Sequence, residues 1–333
     1  RQKAAGSDQQ QYSSATRSAM RNSLTLSSED TRKLLDSGVN YVIRFKIPEN
    51  QTVVLNDLIR GEVTVNTTQL DDKVLMKYHL ANVVDDYLMK ISHVIRGEEW
   101  LPSAPLHVLL YKAFGWEKDM PRFAHLPLLL KPDGNGKLSK RDADRMGFPI
   151  FPLNWTDPST GEQSTGYKES GYLPEALINF LAFLGWNPGT EQEIFSMHEL
   201  IQAFSVERIG KAGAKFDIQK AQWFNQQYLR AKTDQELAAF LLEQLKLENI
   251  SCTQEKAENI CALMKERITF PQELWEHGKF FFRAPESFDE SVVTKKWNDD
   301  AVKVITAYRD AVEKLNAFDA TIAKETLEQV TAS

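Results

Sequence analysis

Cysteine is scarce in this sequence, and long apolar runs are absent. Only Cys252 and Cys261 occur among the 333 residues. They form no C-x-x-C pair, and their spacing on a single predicted helix fits neither a zinc site nor a disulfide framework. This usage favours a reducing, cytoplasmic compartment. Because no apolar run reaches about 18 residues, the sequence predicts no membrane span.

Common nucleotide-binding and catalytic signatures are also missing. Gly134-x-Gly136-Lys137 resembles part of a P-loop, but Lys131 stands where the first glycine would be. Leu138 replaces the Ser or Thr that would hold magnesium. The dinucleotide pattern G-x-G-x-x-G is absent, and six scattered histidines do not indicate a Ser–His–Asp arrangement. No resident metal site is predicted.

The composition is that of a globular protein with a substantial core. Hydrophobic residues make up 42% of the chain and charged residues 26%, and the length predicts two or three domains. The net charge of −6 argues against a generally basic nucleic-acid coat, although a local positive surface suffices for such binding. The chain starts at Arg1, and its polar first residues lack the apolar stretch of a signal peptide. We expect it to be part of a longer protein.

Hydrophobic periodicity predicts an α+β segment that ends near Lys77, followed by an α/β segment. The first contains a helix between Ser27 and Gly38 and strands at 41–47, 52–55 and 62–65. The second alternates a helix from Tyr78, a strand at 91–95, a helix at 103–113 and a strand at 123–130. This alternation predicts a parallel sheet.

Helix dominates the rest of the chain. A Pro-, Gly- and Asp-rich insertion occupies 142–171, and from Leu173 onward the sequence is nearly all helical. The predicted helices lie at 173–184, 196–204, 217–230, 234–245, 253–267 and 299–315. The C-terminal third is therefore predicted to be a helical bundle.

A cluster of cations, Lys137, Lys140 and Arg141, follows the strand at 123–130 on a glycine-flanked loop. Arg and Lys are the usual phosphate partners, and ligands of α/β folds bind at the carboxyl edge of the parallel strands. Taken alone, these residues fit a phosphate-binding loop and a solvated surface turn equally well.

Three further candidates, Arg96, Glu99 and Trp100, follow the strand at 91–95 and share this predicted edge. Arg96 is either buried beside a carboxylate partner or directed at a ligand. Trp100 also fits a simple core position, and His93 inside the strand is a better structural than catalytic candidate.

Four sequence blocks stand in order along the chain. They are YHLANVVDD (78–86), HVIRGEEW (93–100), KLSKR (137–141) and GYLPEAL (171–177). Together they resemble segments of the bacterial glutamyl-tRNA synthetases, in which KLSKR resembles the class I signature usually written KMSKS. That signature alone is weakly specific, but four blocks at compatible spacing form a strong resemblance, which extends from about Asn22 to the C-terminal helices.

The resemblance implies a fold and a domain order. The fold would be α/β: the second half of a class I synthetase nucleotide-binding (Rossmann-like) domain, with an α+β acceptor-binding insertion, a stem-contact region and a C-terminal α-helical anticodon-binding domain. Residues 1–77 would be part of the acceptor-stem-binding insertion, and 78–130 the second half of the catalytic domain. Residues 131–233 would hold the KLSKR loop and the stem-contact domain, and 234–333 a truncated anticodon-binding domain.

The resemblance also implies an activity. A cytoplasmic, monomeric enzyme would activate L-glutamate with ATP and Mg²⁺ to glutamyl-adenylate and transfer it to the 3′ end of tRNA(Glu). Lys137 and Lys140 would be the catalytic residues that stabilise charge on the phosphates. Glu99 would contact the ribose or adenine side of ATP, the Leu129 backbone would bind adenine, and Lys140 would bind the phosphates.

Glutamate would be bound by Tyr78, Asn82, Arg96 and Trp100, with the planar fork of Arg96 paired to a substrate carboxylate. Arg267, near the end of the helix at 253–267, matches a position at which the family reads an anticodon base. A cation at a helix C-terminus also complements the helix dipole, so both roles stay open for Arg267.

The chain departs from this family in four places. None of its six histidines forms His-x-Gly-His, the other class I signature, so a chain of only these residues is not expected to make adenylate. The short Gly/Pro-containing loop usual between Lys77 and Tyr78 is absent. The insertion at 142–171 is longer than in many relatives, and the second anticodon-binding region is truncated at Ser333.

Three other functions stay open on the sequence alone. A tRNA-modifying glutamyl transferase would lack the helical residues that follow Thr233. A glutaminyl-tRNA synthetase would bind an amide, whereas Arg96 favours a carboxylate. A non-catalytic RNA-binding fragment is supported by the missing His-x-Gly-His signature.

Overall fold

The structure, a computed structural model, describes residues 12–75, 78–285, 287–317 and 319–332. The side chains of Tyr78, Lys140 and Asp144 lie outside the described part. Residues 76–77 also lie outside it. The absence of the family's usual loop between Lys77 and Tyr78 therefore stays a prediction. The chain divides into two units, Arg1–Lys232 and Thr233–Ser333, and this division lies beside the predicted boundary at 233/234.

The N-terminal unit mixes helices and strands. Its described helices are α1 (Ser28–Asp36), α2 (Tyr78–Leu88), α3 (Ala104–Ala113), α4 (Lys140–Met146), α5 (Pro174–Ala182), α6 (Met197–Ala203) and α7 (Ile218–Ala231). Its described strands are β1 (Thr52–Asp57), β2 (Gly61–Asn66), β3 (His93–Gly97), β4 (Arg122–Leu126), β5 (Leu129–Leu130), β6 (Trp155–Thr156), β7 (Gln163–Ser164) and β8 (Ala214–Lys215).

A four-stranded sheet with the order β2-β1-β4-β3 organises this unit. β3 and β4 are parallel from His93↔Arg122 to Gly97↔Leu126, so the predicted parallel sheet is confirmed. β1 joins β4 in parallel at Asp57↔Phe123 and pairs with β2 as an antiparallel hairpin. A strand from the predicted acceptor-binding segment therefore lies directly beside the strands of the predicted nucleotide-binding segment.

Alternating burial explains why β1 forms and faces the core. Val53, Leu55 and Asp57 are buried while the residues between them are exposed, which is the period-two pattern of a strand covered on one face. Val83 of α2 and nearly all of α3 pack against that face. α3 ends before Gly115, whose φ of +72° suits a residue without a side chain.

Two predicted strands differ from the structure. No strand forms at 41–47; Arg44 makes only an isolated bridge to Val74. Tyr41 and Val42 are 66% and 60% exposed, so their apolar character finds no core to pack against. The predicted strand at 123–130 divides at Pro127, which cannot donate to a ladder; β4 stays in the main sheet, while β5 pairs in parallel with β8.

The C-terminal unit is helical, as the sequence predicts. The described helices are α8 (Asp234–Leu247), α9 (Gln254–Met264), α10 (Glu273–Glu276), α11 (Glu290–Lys296), α12 (Asp299–Val312) and α13 (Ala320–Ala332). The sequence did not predict α10, α11 or α13. Leu237, Leu241 and Ile260 are among the side chains that pack α8 against α9 with almost no exposure.

The cysteines differ from the prediction in one respect. Cys261 is buried within α9, but Cys252 precedes the first residue of that helix, so the two do not share it. Both thiols are free. Among the described residues, no helix is long and apolar enough to cross a membrane.

Candidate functional site

Predicted ligand residues gather where β3 ends. Arg96 lies within β3, not after it, because the strand runs two residues beyond its predicted end. Glu99 and Trp100 follow on a short 3-10 helix, Glu98–Ser103. The loop that carries Lys137 follows β5, so side chains from two strand ends come together at this edge.

An ion pair joins the two strand ends. Lys137 Nζ lies 2.7 Å from Glu99 Oε1, although the two residues are 38 positions apart. Both side chains are substantially exposed, and the hydrogen bond from Lys137 holds the pKa of the Glu99 carboxyl below its usual value. A residue predicted to bind ATP, Glu99, and a predicted catalytic residue, Lys137, are therefore direct neighbours.

The lysine-bearing loop has a defined backbone. The Leu138 N–H donates to the Leu129 carbonyl at 2.8 Å, and the Lys131 N–H donates to Gly136, which closes a hairpin-like turn. Gly134 and Gly136 have φ values of +81° and +89°, which L side chains rarely adopt. A Cβ at Gly134 would also lie 2.8 Å from Lys215 Cε.

Ser139 precedes α4 and caps its first turn. Its hydroxyl donates to Asp142 Oδ2 at 2.6 Å, and its oxygen accepts the Asp142 N–H, as in a helix N-cap. The hydrogen bond from Ser139 lowers the pKa of Asp142. Asp142 also forms ion pairs with Lys131 and Arg145, each at 3.2 Å. Lys137 pairs with Glu99 and not with Asp142.

Arg96 is half-buried, unlike the exposed Lys137. Its Nε donates to His125 Nε2 at 3.1 Å, and its guanidinium lies 5.7 Å from the Phe123 ring centre. Its Nη2 is shielded from solvent and finds no hydrogen-bond partner among the described residues. Burial lowers the pKa of Arg96, while the carboxylates of Asp86 and Asp57 act in the opposite direction.

His125 and Asp57 form a buried pair that sequence analysis missed. His125 Nδ1 lies 2.6 Å from Asp57 Oδ2, and both side chains are fully buried. An aspartate at the end of β1 and a histidine inside apolar β4 were the available signals. Their meeting depends on a pairing between strands 68 residues apart, which no local pattern predicts.

A small cavity opens beside Glu99 and Trp100. Its volume is 260 Å³, and its lining includes His79, Glu99 and Trp100 but neither Arg96 nor Asn82. Trp100 is 48% exposed, so it is not a core residue. Asn82 is exposed on α2, and Leu129 is 37% exposed in β5. Tyr78 begins α2 and Lys140 begins α4, with side chains outside the described part.

Arg267 belongs to the other unit and is exposed. It ends a 3-10 turn, Lys265–Arg267, directly after α9. The neighbouring Lys265 pairs with Asp234 at 3.0 Å. Across the ranges that the structure describes, no group of three or more His, Cys, Asp and Glu residues is arranged to hold a metal ion.

Two protein families match the chain. Residues 2–223 match the catalytic domain of the class I tRNA synthetases (E and Q), and residues 226–333 match an anticodon-binding domain. Two solved structures share the fold. A glutamate tRNA ligase from Elizabethkingia meningosepticum in complex with its amino acid superimposes with a TM-score of 0.92 at 49% identity. The superposition covers 99% of this chain and 66% of the ligase chain. A glutamate-tRNA synthetase from Elizabethkingia anophelis gives a TM-score of 0.87 with the same identity and coverage.

Curated relatives agree with these matches. A glutamate–tRNA ligase from Amoebophilus asiaticus is 57% identical over 323 residues, which is 95% of this chain and 63% of the relative. One from Cytophaga hutchinsonii is 57% identical over 96% of this chain and 63% of its own length. This chain therefore spans about 63% of the length of the relatives it matches. By its matched catalytic domain, the chain belongs to the class I tRNA synthetases of the E and Q group.

Proposed function

We propose that this chain is the larger part of a glutamate–tRNA ligase. The enzyme activates L-glutamate with ATP to glutamyl-adenylate and esterifies the 3′ end of tRNA(Glu). The relatives that cover 95% of the chain carry that name, and a solved neighbour is described as a complex with its amino acid. Its substrates include ATP with Mg²⁺, and it acts as a cytoplasmic monomer.

The observation that carries the choice of glutamate is the Nη2 atom of Arg96, which is shielded from solvent and has no hydrogen-bond partner among the described residues. Leaving a charged donor without a partner away from water costs on the order of 1–3 kcal/mol. A substrate carboxylate that reaches the unpaired Nη2 removes this cost and forms a charge-assisted hydrogen bond. A neutral amide would provide a weaker acceptor, so the site favours glutamate over glutamine.

The first reaction step needs positioned charge and no covalent enzyme intermediate. A carboxylate oxygen of glutamate attacks the α-phosphorus of ATP, and the bond to the bridging oxygen breaks as pyrophosphate leaves. Lys137 and Lys140 stabilise the negative charge on the phosphates. Removing one such contact is expected to cost about 2–4 kcal/mol in the transition state.

The geometry around the loop supports the assignment of ATP. Glu99 contacts the ribose or adenine side, and Leu129 binds adenine through its backbone. Lys137 and Glu99 form an ion pair, which places the cation proposed to stabilise the phosphates beside the carboxylate proposed to contact the nucleoside. The glycines at 134 and 136, with their positive φ values, suit a loop that closes over ATP.

The amino-acid site uses the cavity at the end of β3. Tyr78, Asn82 and Trp100 surround the glutamate while Arg96 binds one carboxylate. The exposure of Trp100 and the 260 Å³ cavity that it lines support a binding pocket beside this residue. In the C-terminal unit, Arg267 reads an anticodon base; its exposure at the end of a short turn is consistent with contact to RNA.

Glutamate-dependent ATP–pyrophosphate exchange on the complete gene product tests this function, with and without tRNA. We expect exchange with glutamate and little with glutamine. No exchange in either condition, or exchange with glutamine alone, would contradict the proposal.

Lys140→Ala separates catalysis from RNA binding in the same protein. The variant is expected to lower the rate of adenylate formation by about 30-fold or more, as loss of a phosphate contact requires. Its dissociation constant for tRNA, measured by filter binding, should stay close to that of the unmodified enzyme. Equal losses in both would mean that the loop grips RNA instead.

A further inference from the structure

A continuous line of hydrogen bonds runs from the β1–β2 hairpin to the Arg96 guanidinium. Asp57 at the end of β1 bonds to His125 of β4 at 2.6 Å, and His125 bonds to Arg96 of β3 at 3.1 Å. Asp57 and His125 are completely buried. We refer to these three residues as the Asp57–His125–Arg96 network.

The protons of the Asp57–His125–Arg96 network have only one possible arrangement. A guanidinium donates and cannot accept, so Arg96 Nε must donate to His125 Nε2. The imidazole therefore carries its proton on Nδ1 and donates it to the Asp57 carboxylate. A protonated, cationic imidazole would present a second donor to Arg96, and burial lowers the pKa of His125 accordingly.

Asp57 is itself held by the backbone. Its Oδ1 accepts the N–H groups of Ile59, Arg60 and His125 at 3.0, 2.9 and 3.2 Å. Burial alone would raise the pKa of Asp57, but these hydrogen bonds and the one from the imidazole keep it below its usual value. The carboxylate thus has a fixed orientation before any ligand binds.

A second contact from the same hairpin turn fixes the strand that carries His125. Arg60 Nε donates to the His125 carbonyl at 3.0 Å, and its Nη2 lies 2.8 Å from Glu98 Oε2. Glu98 accepts the Leu128 N–H at 3.2 Å. Residues of one turn therefore hold both β4 and the residue that directly follows β3.

We propose that Asp57 and His125 are positioning residues for amino-acid recognition, which hold the Arg96 guanidinium in the orientation that receives the glutamate carboxylate. This inference rests on the proposed glutamate-binding role of Arg96. His125 occupies Nε and leaves the shielded Nη2 unpaired for the substrate. Preorganised donors of this kind avoid the cost of ordering a flexible side chain when the ligand binds.

Asp57→Asn tests the proposal with almost no change in shape. The three backbone N–H groups would retain the amide oxygen, so the amide nitrogen would face His125 and donate to Nδ1. The imidazole proton would then move to Nε2 and oppose the Arg96 Nε–H; a similar exchange of tautomer is known from the aspartate-to-asparagine change in a serine-protease triad. We expect the KM for glutamate to rise about tenfold or more, with the KM for ATP unchanged.

Two measurements make this test independent of a general loss of structure. Nitrogen-15 NMR of the imidazole should show the His125 proton on Nδ1 in the unmodified chain and on Nε2 in Asp57→Asn. His125→Gln, whose carbonyl can still accept from Arg96, should raise the KM for glutamate less than His125→Leu, which removes the acceptor. In the His125→Gln background, Asp57→Asn should have little further effect, because no tautomer remains to change.

Failure of the inference differs from failure of the proposed function. If the unmodified gene product shows no glutamate-dependent exchange, the proposed function is wrong and the inference falls with it. If that exchange is present but Asp57→Asn leaves the KM for glutamate unchanged, only the positioning role is overturned. Equal increases in the KM for glutamate and ATP, or equal effects of His125→Gln and His125→Leu, would likewise overturn it.

Discussion

At the scale of single residues, the site depends on how Arg96 divides its donors. One nitrogen donates to His125, and another is shielded from solvent with no hydrogen-bond partner among the described residues. A charged donor in this position costs free energy, and the proposed contact with the glutamate carboxylate would remove that cost. Lys137, in contrast, already has a carboxylate partner in Glu99.

Arg96→Lys should damage glutamate binding while preserving the charge. One ammonium cannot both donate to His125 and make a two-point contact with a carboxylate. We expect the KM for glutamate to rise about 10- to 100-fold and the KM for ATP to change little, as measured by pyrophosphate exchange. Arg122→Lys, at an exposed position of the neighbouring strand, is the matched control. A normal KM for glutamate in Arg96→Lys would exclude this role.

Sequence analysis predicted Arg96 and Lys137 as site residues because cations at the ends of predicted strands suit an anionic ligand. Glu99 was predicted from its place at the same edge and from the resemblance to the family. Sequence analysis did not identify Asp57 or His125. Each of those lies in an ordinary strand pattern, and their significance arises from a strand pairing distant in sequence. The unpaired Nη2 of Arg96 is also a property of packing that no spacing of residues predicts.

At the scale of elements, the loop between β5 and α4 combines a glycine turn with a capped helix. The two left-handed glycines let the chain return to Leu129, and Ser139 caps α4. The glycine-flanked loop was correctly predicted, because Pro, Asp, Asn and Gly each favour turns for local reasons. The predicted strand extended through Pro127, because the run of leucines beyond it resembles a continuing strand.

Gly134→Ala should weaken ATP binding more than Gly136→Ala. Both changes place a side chain at positive φ, but only the Cβ at 134 also displaces the flexible end of the Lys215 side chain, whose Cε lies 2.8 Å away. We expect the KM for ATP to rise several-fold in Gly134→Ala and less in Gly136→Ala. Gly161 has a φ of +74°, and a Cβ added there would have no atom within 4 Å. Gly161→Ala therefore controls for backbone strain at a glycine outside this loop. A similar rise in Gly161→Ala would show that the shape of this loop is not what matters.

At the scale of the whole molecule, buried histidines couple stability to pH. His107 of α3 is 2% exposed and lies 3.1 Å from His79 of α2. Burial, together with the nearby charge of Arg96, lowers the pKa of His107 to about 3 from its ordinary 6.5. Between these two pH values the unfolded chain binds a proton that the folded chain does not, so acid favours unfolding.

The free energy of unfolding should therefore fall as the pH is lowered from about 6.5. The slope reaches about 1.4 kcal/mol per pH unit for each proton taken up on unfolding. His107→Phe removes this group and should flatten the profile in urea unfolding monitored by circular dichroism. His198→Phe, at an exposed position, should leave the slope unchanged. An equally steep profile in His107→Phe would show that His107 does not couple protonation to folding.

Periodicity predicted the change to a mostly helical sequence at Leu173, whereas the domain boundary at 233/234 came from the resemblance to the family. The structure divides the chain beside that boundary, between Lys232 and Thr233. The place of β1 in the main sheet was not accessible from sequence, because a hairpin pattern does not reveal which sheet its outer edge will join. That placement brings Asp57 to His125 and so to the proposed amino-acid site.

The most direct test of the account is a competition between amino acids for tRNA. The complete gene product is given differently labelled glutamate and glutamine at equal concentration, and the esters formed on tRNA are counted. We expect kcat/KM for glutamate to exceed that for glutamine by at least about 100-fold, because Arg96 is proposed to receive a carboxylate. Comparable charging with both amino acids, or preferential charging with glutamine, would contradict it.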